Sequence, residues 1–245
     1  MNDLDFLKEH FCGNEEALRQ AIEKYESGVP AAYIIGSRFF YRHEFLVKEG
    51  VLIPRPDTEF VVENAVMMLK KRKDPIFADL CCGSGCIGIT LLDEVRSAKG
   101  YMFDIGDIPL EISLENTKRI GVLDRASVLF GDVFDSDLLK KNVAQKLDMI
   151  ISNPPYIPTT DIAKYPDLAA EPILALDGGA DGMDFYRAIV DNFEDDLKED
   201  GVFVFEIGFD QGELINALAA QKGFGCIVKK DYGQNDRLAI LTKMR

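Results

Sequence analysis

The chain has 245 residues, with 28 Lys plus Arg against 42 Asp plus Glu and a formal net charge of −14, a length that suggests one large domain with a small appendage. Its composition, 47% hydrophobic and 29% charged, is that of a globular protein and excludes disordered and fibrous classes. A protein that grips duplex phosphates needs a basic face, so this acidic balance argues against direct nucleic-acid binding. The first residues carry no apolar core of the kind a secretory leader needs. Cysteine is odd in number (Cys12, Cys81, Cys82, Cys86 and Cys226), which fits a reducing, cytoplasmic setting. Residues 14–27 read as a helix: Asn14 can cap it, and Ala17, Leu18, Ala21, Ile22 and Tyr25 form one apolar stripe. Gly28 and Pro30 stop it. Over 38–53 the β formers Phe39, Phe40, Tyr41, Phe45, Val47, Val51 and Ile53 predict a hairpin that leads into an extended run.

Pro54-Arg55-Pro56-Asp57-Thr58 is a rigid turn, and a helix follows over 58–72. The basic run Lys70-Lys71-Arg72-Lys73 reads as its solvated end. From residue 75 strand and helix alternate. Strands are expected at 76–80, 100–104, 126–130, 147–152, 201–206, 224–229 and 237–242, and helices at 86–95, 109–120, 184–197 and 210–222. That alternation predicts an α/β protein with a mostly parallel sheet covered on both faces. No apolar run approaches the ~20 residues of a membrane helix, so no membrane partner is expected.

Two turns carry chemistry. The run Ile76–Leu80 meets Cys81-Cys82-Gly83-Ser84-Gly85-Cys86, where small residues at a strand-to-helix turn let a ligand approach the backbone. Asp79 ends that strand, where its carboxylate can accept from a ligand's ammonium group or from loop amides. Asp104 ends the next strand, 19 residues beyond Gly85, placed to take two ribose hydroxyls. The competing reading of this turn is tight packing alone. For Cys81, Cys82 and Cys86 the plain reading is small buried thiols; their spacing lacks a C-x-x-C pair, and no metal site is expected.

The second turn is Ser152-Asn153-Pro154-Pro155-Tyr156-Ile157-Pro158, at the end of the strand over 147–152. Asn153 projects an amide oxygen, and the Pro154 carbonyl lacks competing local N–H donors. Two acceptors suit a planar –NH₂ group: they orient a poorly nucleophilic nitrogen and favour positive charge as it attacks. Tyr156 supplies an aromatic wall. Arg55 either reaches the site or pairs with a nearby acid.

On these residues the chain resembles the HemK/PrmC family of protein-(glutamine N5) methyltransferases. The likeness rests on Ala32–Gly36, the Phe39-Phe40-Tyr41 hairpin, Leu52–Glu59, the turn from Asp79 to Gly85, Asn153–Pro158, Glu171-Pro172 with Ala175–Gly179 and Asp181-Gly182, and Glu206-Ile207-Gly208 with Gln211-Gly212. It implies the class I S-adenosylmethionine-dependent methyltransferase fold, with seven strands of which the last is reversed. It divides the chain into a helical segment over 1–30, a hairpin and linker over 31–56 and a methyltransferase domain over 57–245. It implies S-adenosylmethionine as cofactor, leaving as S-adenosylhomocysteine. Asp79, Leu80, Cys81, Cys82, Gly83 and Gly85 would cradle its methionine part, Asp104 and Ile105 its ribose, and Asp132 and Val133 its adenine, with Asn153 near the methyl. Asn153, Pro154, Pro155 and Tyr156 would hold the glutamine amide, with Phe40 and Arg55 closing the pocket.

The implied substrate is the Gly-Gly-Gln motif of class I release factors, or a glutamine of a large-subunit ribosomal protein, handled by a monomer. Three departures stand out: about 30 residues precede the Tyr33 segment where the family carries a helical domain, Cys81 replaces a glycine, and Val133 stands where an aromatic is usual. The alternatives are an N6-adenine methyltransferase using the same loop, with the base flipped against Tyr156, and a non-catalytic binding module.

Overall fold

The computed structural model describes residues 3–244. Three short helices open the chain: α1 (Asp3–His10), α2 (Glu15–Glu26) and α3 (Ala31–Ile35). Leu7, Ala21 and Ala31, one from each, form a small apolar cluster of their own. Asn14 caps α2, its side chain accepting from the Ala17 amide at 3.1 Å. A two-stranded hairpin follows, β1 (Ser37–Phe40) and β2 (His43–Leu46), paired antiparallel with Phe40 opposite His43. The turn Tyr41-Arg42 joins them, Tyr41 at a φ of +57°.

The rest is one layered α/β unit. Helix α4 (Pro56–Leu69) precedes β3 (Ile76–Leu80), α5 (Cys86–Glu94), β4 (Lys99–Asp104), α6 (Asp107–Ile120), β5 (Ala126–Phe130), α7 (Leu138–Asn142) and β6 (Leu147–Ser152). Then come α8 (Asp184–Phe193), β7 (Leu197–Glu206), α9 (Gly212–Gln221), β8 (Phe224–Lys230) and β9 (Asp236–Lys243). The seven strands lie in the order β5-β4-β3-β6-β7-β9-β8, with β9 antiparallel to both neighbours and the other pairings parallel.

Strand residues point alternately to the two faces. Phe77, Met149 and Val204 enter a core under α4 and α5, while Ala78, Leu80, Ile150, Phe203 and Phe205 enter one under α8 and α9. Both faces are therefore covered, and the strands read as near-continuous apolar runs.

The expected strands are all present, and the differences lie at ends and short elements. The helix expected over 184–197 stops at Phe193; a 3₁₀ turn over Glu194–Asp196 follows, and Leu197 already pairs with Leu147 as part of β7. Three consecutive acids are unfavourable at the negative end of a helix dipole. The helix expected over 58–72 ends at Leu69. The basic run beyond it is not wholly solvated: the Arg72 guanidinium bonds buried Asp148 at 3.0 Å and Asp200 at 3.1 Å. Helix α1 falls within the helical segment expected over 1–30, and α3 and α7 lie outside the expected set. Helices α3 and α7 have five residues each, too few to show a period.

Candidate functional site

The two motif turns stand side by side, because β3 and β6 are adjacent parallel strands with Leu80 opposite Ser152. The Ser152 hydroxyl donates to the Leu80 carbonyl at 2.6 Å and clasps the strand ends together. From β3 the strand order runs one way to β4 and β5, and from β6 the other way to β7. Such a switch point opens a crevice beyond the carboxyl ends of the strands, where α/β proteins bind ligands.

Over the first turn the backbone is held in the left-handed region at Cys81 (φ +60°), Gly83 (+56°) and Gly85 (+79°). Gly85 caps α5, and a Cβ there would meet the Ser113 hydroxyl oxygen at 2.5 Å. Cys81 occupies a conformation that favours glycine and costs an L-residue roughly 1–2 kcal/mol. The Asp104 carboxylate accepts from the Gly83 amide at 2.8 Å and the Gly106 amide at 3.0 Å, so it ties the turn to the end of β4. Burial raises the Asp104 carboxyl above the usual range, and those amides oppose the shift.

A cavity of about 310 Å³ opens in front of this turn. That lies at the lower end of the ~300–1,000 Å³ typical of small-molecule sites. Of the expected cofactor residues, Cys81, Cys82, Gly83, Asp104, Ile105, Asp132, Val133 and Asn153 line it. Asp79, Leu80 and Gly85 do not. Asp79 is fully buried behind the turn, where one oxygen accepts from the Gly88 amide at 2.9 Å and the other meets no donor. Burial pushes its carboxyl up to about 8. Leu80 points into the core beneath the sheet.

Val133 is also core, at 4% exposure, and the aromatic wall comes from its neighbour. Phe134 is 55% exposed, lines the cavity and meets Phe185 edge-to-face at 5.2 Å between ring centroids. Sequence reasoning missed both rings, although Phe134 stands one position after the residue it singled out. Burial lifts the Cys81 and Cys82 thiols well above their ordinary values and Cys86 to about 12, which disfavours the thiolate. Among the described residues no group of three His, Cys, Asp or Glu side chains is placed to hold a metal ion.

A smaller cavity of about 70 Å³ adjoins the first, and Leu52, Arg55, Asn153 and Ala175 line both. Tyr156 and Glu206 belong to the smaller one. Asn153 thus stands at the junction. Pro155 lines the larger cavity and Pro154 is buried. Phe40 lines neither. It is 1% exposed and packs edge-to-face on Phe45 in the core under α4, so its assignment to the pocket is corrected. The alternation of β1 turns it inward and leaves Phe39, 60% exposed, on the outside.

The loop that carries Asn153 is held by side chains from far along the chain. The Arg55 guanidinium donates to Glu171, whose other oxygen accepts from the Ile53 amide at 3.0 Å. Arg55 therefore both pairs with an acid and lines the cavities. Gln211 donates to the Tyr156 carbonyl at 3.0 Å and the Gly182 carbonyl at 3.1 Å. Gly182 lets that segment lie against the loop, since a Cβ there would stand 2.3 Å from the Tyr156 carbonyl oxygen. The Thr58 hydroxyl donates to Glu206 at 2.6 Å, Asn153 Nδ2 donates to Thr58 Oγ1 at 3.4 Å, and the Tyr156 hydroxyl donates to the other Glu206 oxygen at 3.4 Å. Burial raises Glu206 to about 7. Sequence reading found Glu171, Glu206 and Gln211 within motifs without giving them tasks.

Comparison with known proteins gives the chain its relatives. The methyltransferase small domain model matches residues 58–170. The release factor glutamine methyltransferase of Clostridium botulinum is 36% identical over 239 residues, 94% of this chain and 81% of that protein. Its counterpart in Moorella thermoacetica is 38% identical over 89% of this chain and 76% of its own length. The chain thus spans about four fifths of the relatives it matches. Among solved structures, the ribosomal protein L11 methylase of Lactobacillus delbrueckii subsp. bulgaricus superposes with a TM-score of 0.56 at 20% identity, covering 81% of this chain and 84% of that one. At that identity the likeness concerns the fold alone.

Proposed function

The chain belongs to the release factor glutamine methyltransferase family, and on that premise we propose that it moves a methyl group from S-adenosylmethionine to the side-chain amide nitrogen of the glutamine in the Gly-Gly-Gln motif of a class I release factor. The observation that carries this reading is the place of Asn153, at the junction of a ligand-sized cavity and a smaller one. A methyl donor in the first and a carboxamide entering by the second would meet there. We also read residues 1–56 as presenting the protein substrate and 57–245 as the catalytic unit, acting as a cytoplasmic monomer.

The donor set suits S-adenosylmethionine. Asp104 offers carboxylate oxygens to a ribose diol, the glycine turn offers open backbone, and Ile105, Val133 and Phe134 offer an apolar wall to a flat base. Asp79 would act from behind, holding the start of α5 through the Gly88 amide. When bound, the cofactor supplies a methyl group activated on a sulfonium. The protein's task is then placement. An amide nitrogen is a weak nucleophile because its lone pair is delocalised. The Asn153 oxygen and the Pro154 carbonyl would each accept one of its N–H bonds, which aims the nitrogen and stabilises positive charge as it attacks; the nitrogen would then give up one of those protons to water. Arg55 and Tyr156 would close the acceptor side.

The test offers the full chain labelled S-adenosylmethionine with a release factor and an adenine-containing oligonucleotide side by side. Label on the Gly-Gly-Gln glutamine, mapped by mass spectrometry, is expected. Label on the oligonucleotide alone would overturn the reading in favour of an amino-methyltransferase of nucleic acid.

A further inference from the structure

We propose that Glu206 and Thr58 are positioning residues that set which end of the Asn153 amide faces the incoming carboxamide. The proposal rests on the reading of Asn153 as the acceptor-holding residue. An asparagine side chain is nearly symmetrical in shape, and its oxygen accepts where its nitrogen donates. Only the oxygen can take a substrate N–H; with the ends exchanged, two donors would face each other. Something outside Asn153 must choose.

The choice follows from one proton. The Thr58 hydroxyl has a single hydrogen, and it lies toward Glu206 at 2.6 Å, the length of an O–H donor meeting a carboxylate. With that hydrogen committed, Thr58 Oγ1 has only lone pairs left, and the side chain facing it is Asn153, at 3.4 Å. Those lone pairs accept the Asn153 NH₂ and repel its oxygen. The amide oxygen is thereby turned away from Thr58. Thr58 is 2% and Glu206 1% exposed, so the bond between them is kept from bulk solvent even though Thr58 lines the larger cavity and Glu206 the smaller. The Tyr156 hydroxyl on the second carboxylate oxygen, at 3.4 Å, helps fix Glu206. This gives Thr58, in the Ile-Pro-Arg-Pro-Asp-Thr-Glu run, a task that its place at the start of α4 would not by itself suggest.

The ordering depends on an ionised Glu206, and burial brings that carboxyl to about 7. Arg237 on β9 faces it and favours ionisation, and Asp57 on α4 opposes it. Tyr156 on the loop, Tyr186 on α8 and Cys86 on α5 complete the surrounding titratable groups. A protonated Glu206 can donate to Thr58, free the Thr58 hydrogen for Asn153 and reverse the order. Transfer is therefore lost as pH falls through about 7.

The test compares wild type with Thr58→Val, which keeps the shape and removes the hydroxyl, with Thr58→Ser, which restores it, and with Glu206→Gln. Expected for Thr58→Val is a kcat about 30-fold lower, less than the ~10²–10³-fold loss of a placed dipole removed outright, because Asn153 itself remains. Its S-adenosylhomocysteine affinity and release-factor KM should stay within about threefold. Thr58→Ser should recover most of the loss, and Glu206→Gln should abolish the fall of kcat below about pH 7. A kcat for Thr58→Val equal to wild type would overturn the proposal while leaving the assigned function intact. The Asn153 side-chain ¹⁵N–¹H signals give a readout that needs no activity. They should move with pH across 6–8 in wild type and stand still in Glu206→Gln. Signals that do not move in wild type would overturn the relay, whether or not the release factor is methylated.

Discussion

The turn after β3 and the loop after β6 sit on neighbouring strands and serve one crevice, yet they are held in opposite ways. The first is shaped by its own backbone and by carboxylates close in sequence, with Asp79 bonding the amide nine residues on and Asp104 the amide 21 residues back. The second depends on distant partners: Asn153 is tied to Thr58 across 95 residues, Tyr156 to Glu206 across 50 and to Gln211 across 55. The difference teaches that the proposed donor side is a local motif, as would suit a small, invariant molecule. The acceptor side is a tertiary construction, held from several segments at once.

Substitutions in the two regions should therefore fail differently. Asn153→Ala should lower kcat by ~10²–10³-fold, the scale of losing one placed dipole, with S-adenosylhomocysteine affinity nearly unchanged in calorimetry. A variant that turned over as wild type would end the proposed mechanism. Gly182→Ala forces a Cβ against the Tyr156 carbonyl oxygen at 2.3 Å. Overpacking of this kind should cost about 1–3 kcal/mol in urea denaturation and lower kcat more than it weakens cofactor binding. An unperturbed loop would show that the acceptor side is less constrained than its contacts indicate.

On the donor side, Asp104→Ala should weaken cofactor binding by roughly ten- to hundredfold, the loss of a charged hydrogen-bonding group, with little change in the fluorescence or folding of the acceptor loop. A further effect concerns pH. Burial raises Asp79 from 3.8 to about 8 and Glu206 from 4.5 to about 7. Both therefore bind protons more tightly folded than unfolded. Their contribution to stability is fully present below about pH 4 and is lost as pH rises through about 7 and then about 8. Asp79→Asn should flatten the upper part of that decline in denaturation midpoints measured from pH 5 to 9.

The same contrast governs what could be read from the amino-acid order. Strands over 76–80, 126–130 and 147–152 have the bounds expected of them, because buried parallel strands announce themselves as short apolar runs between turn residues. Spacing alone points to the glycine turn and to Asp104, which line one cavity. Asp79 is legible as a carboxylate at a strand's end, and only the structure tells that it lies behind the cavity and accepts from the Gly88 amide in the first turn of α5. Phe40 misled because a run of three aromatics does not reveal which faces inward until the hairpin register is known. Thr58 and Glu206 could not be joined on paper: 148 residues separate them, and no local pattern encodes a bond between a helix start and a strand end.

That separation has a consequence for the protein's own synthesis. Ribosomes add ~5–20 residues per second, so the growing chain waits roughly 7–30 s between making Thr58 and making Glu206. The glycine turn, Asp104 and Phe134 are all made within that interval. A nascent chain therefore carries the proposed methyl-donor cradle from β3 to Phe134 before it has the Glu206 carboxylate that Thr58 bonds, and on the reading above it would order Asn153 only once the late strands have docked.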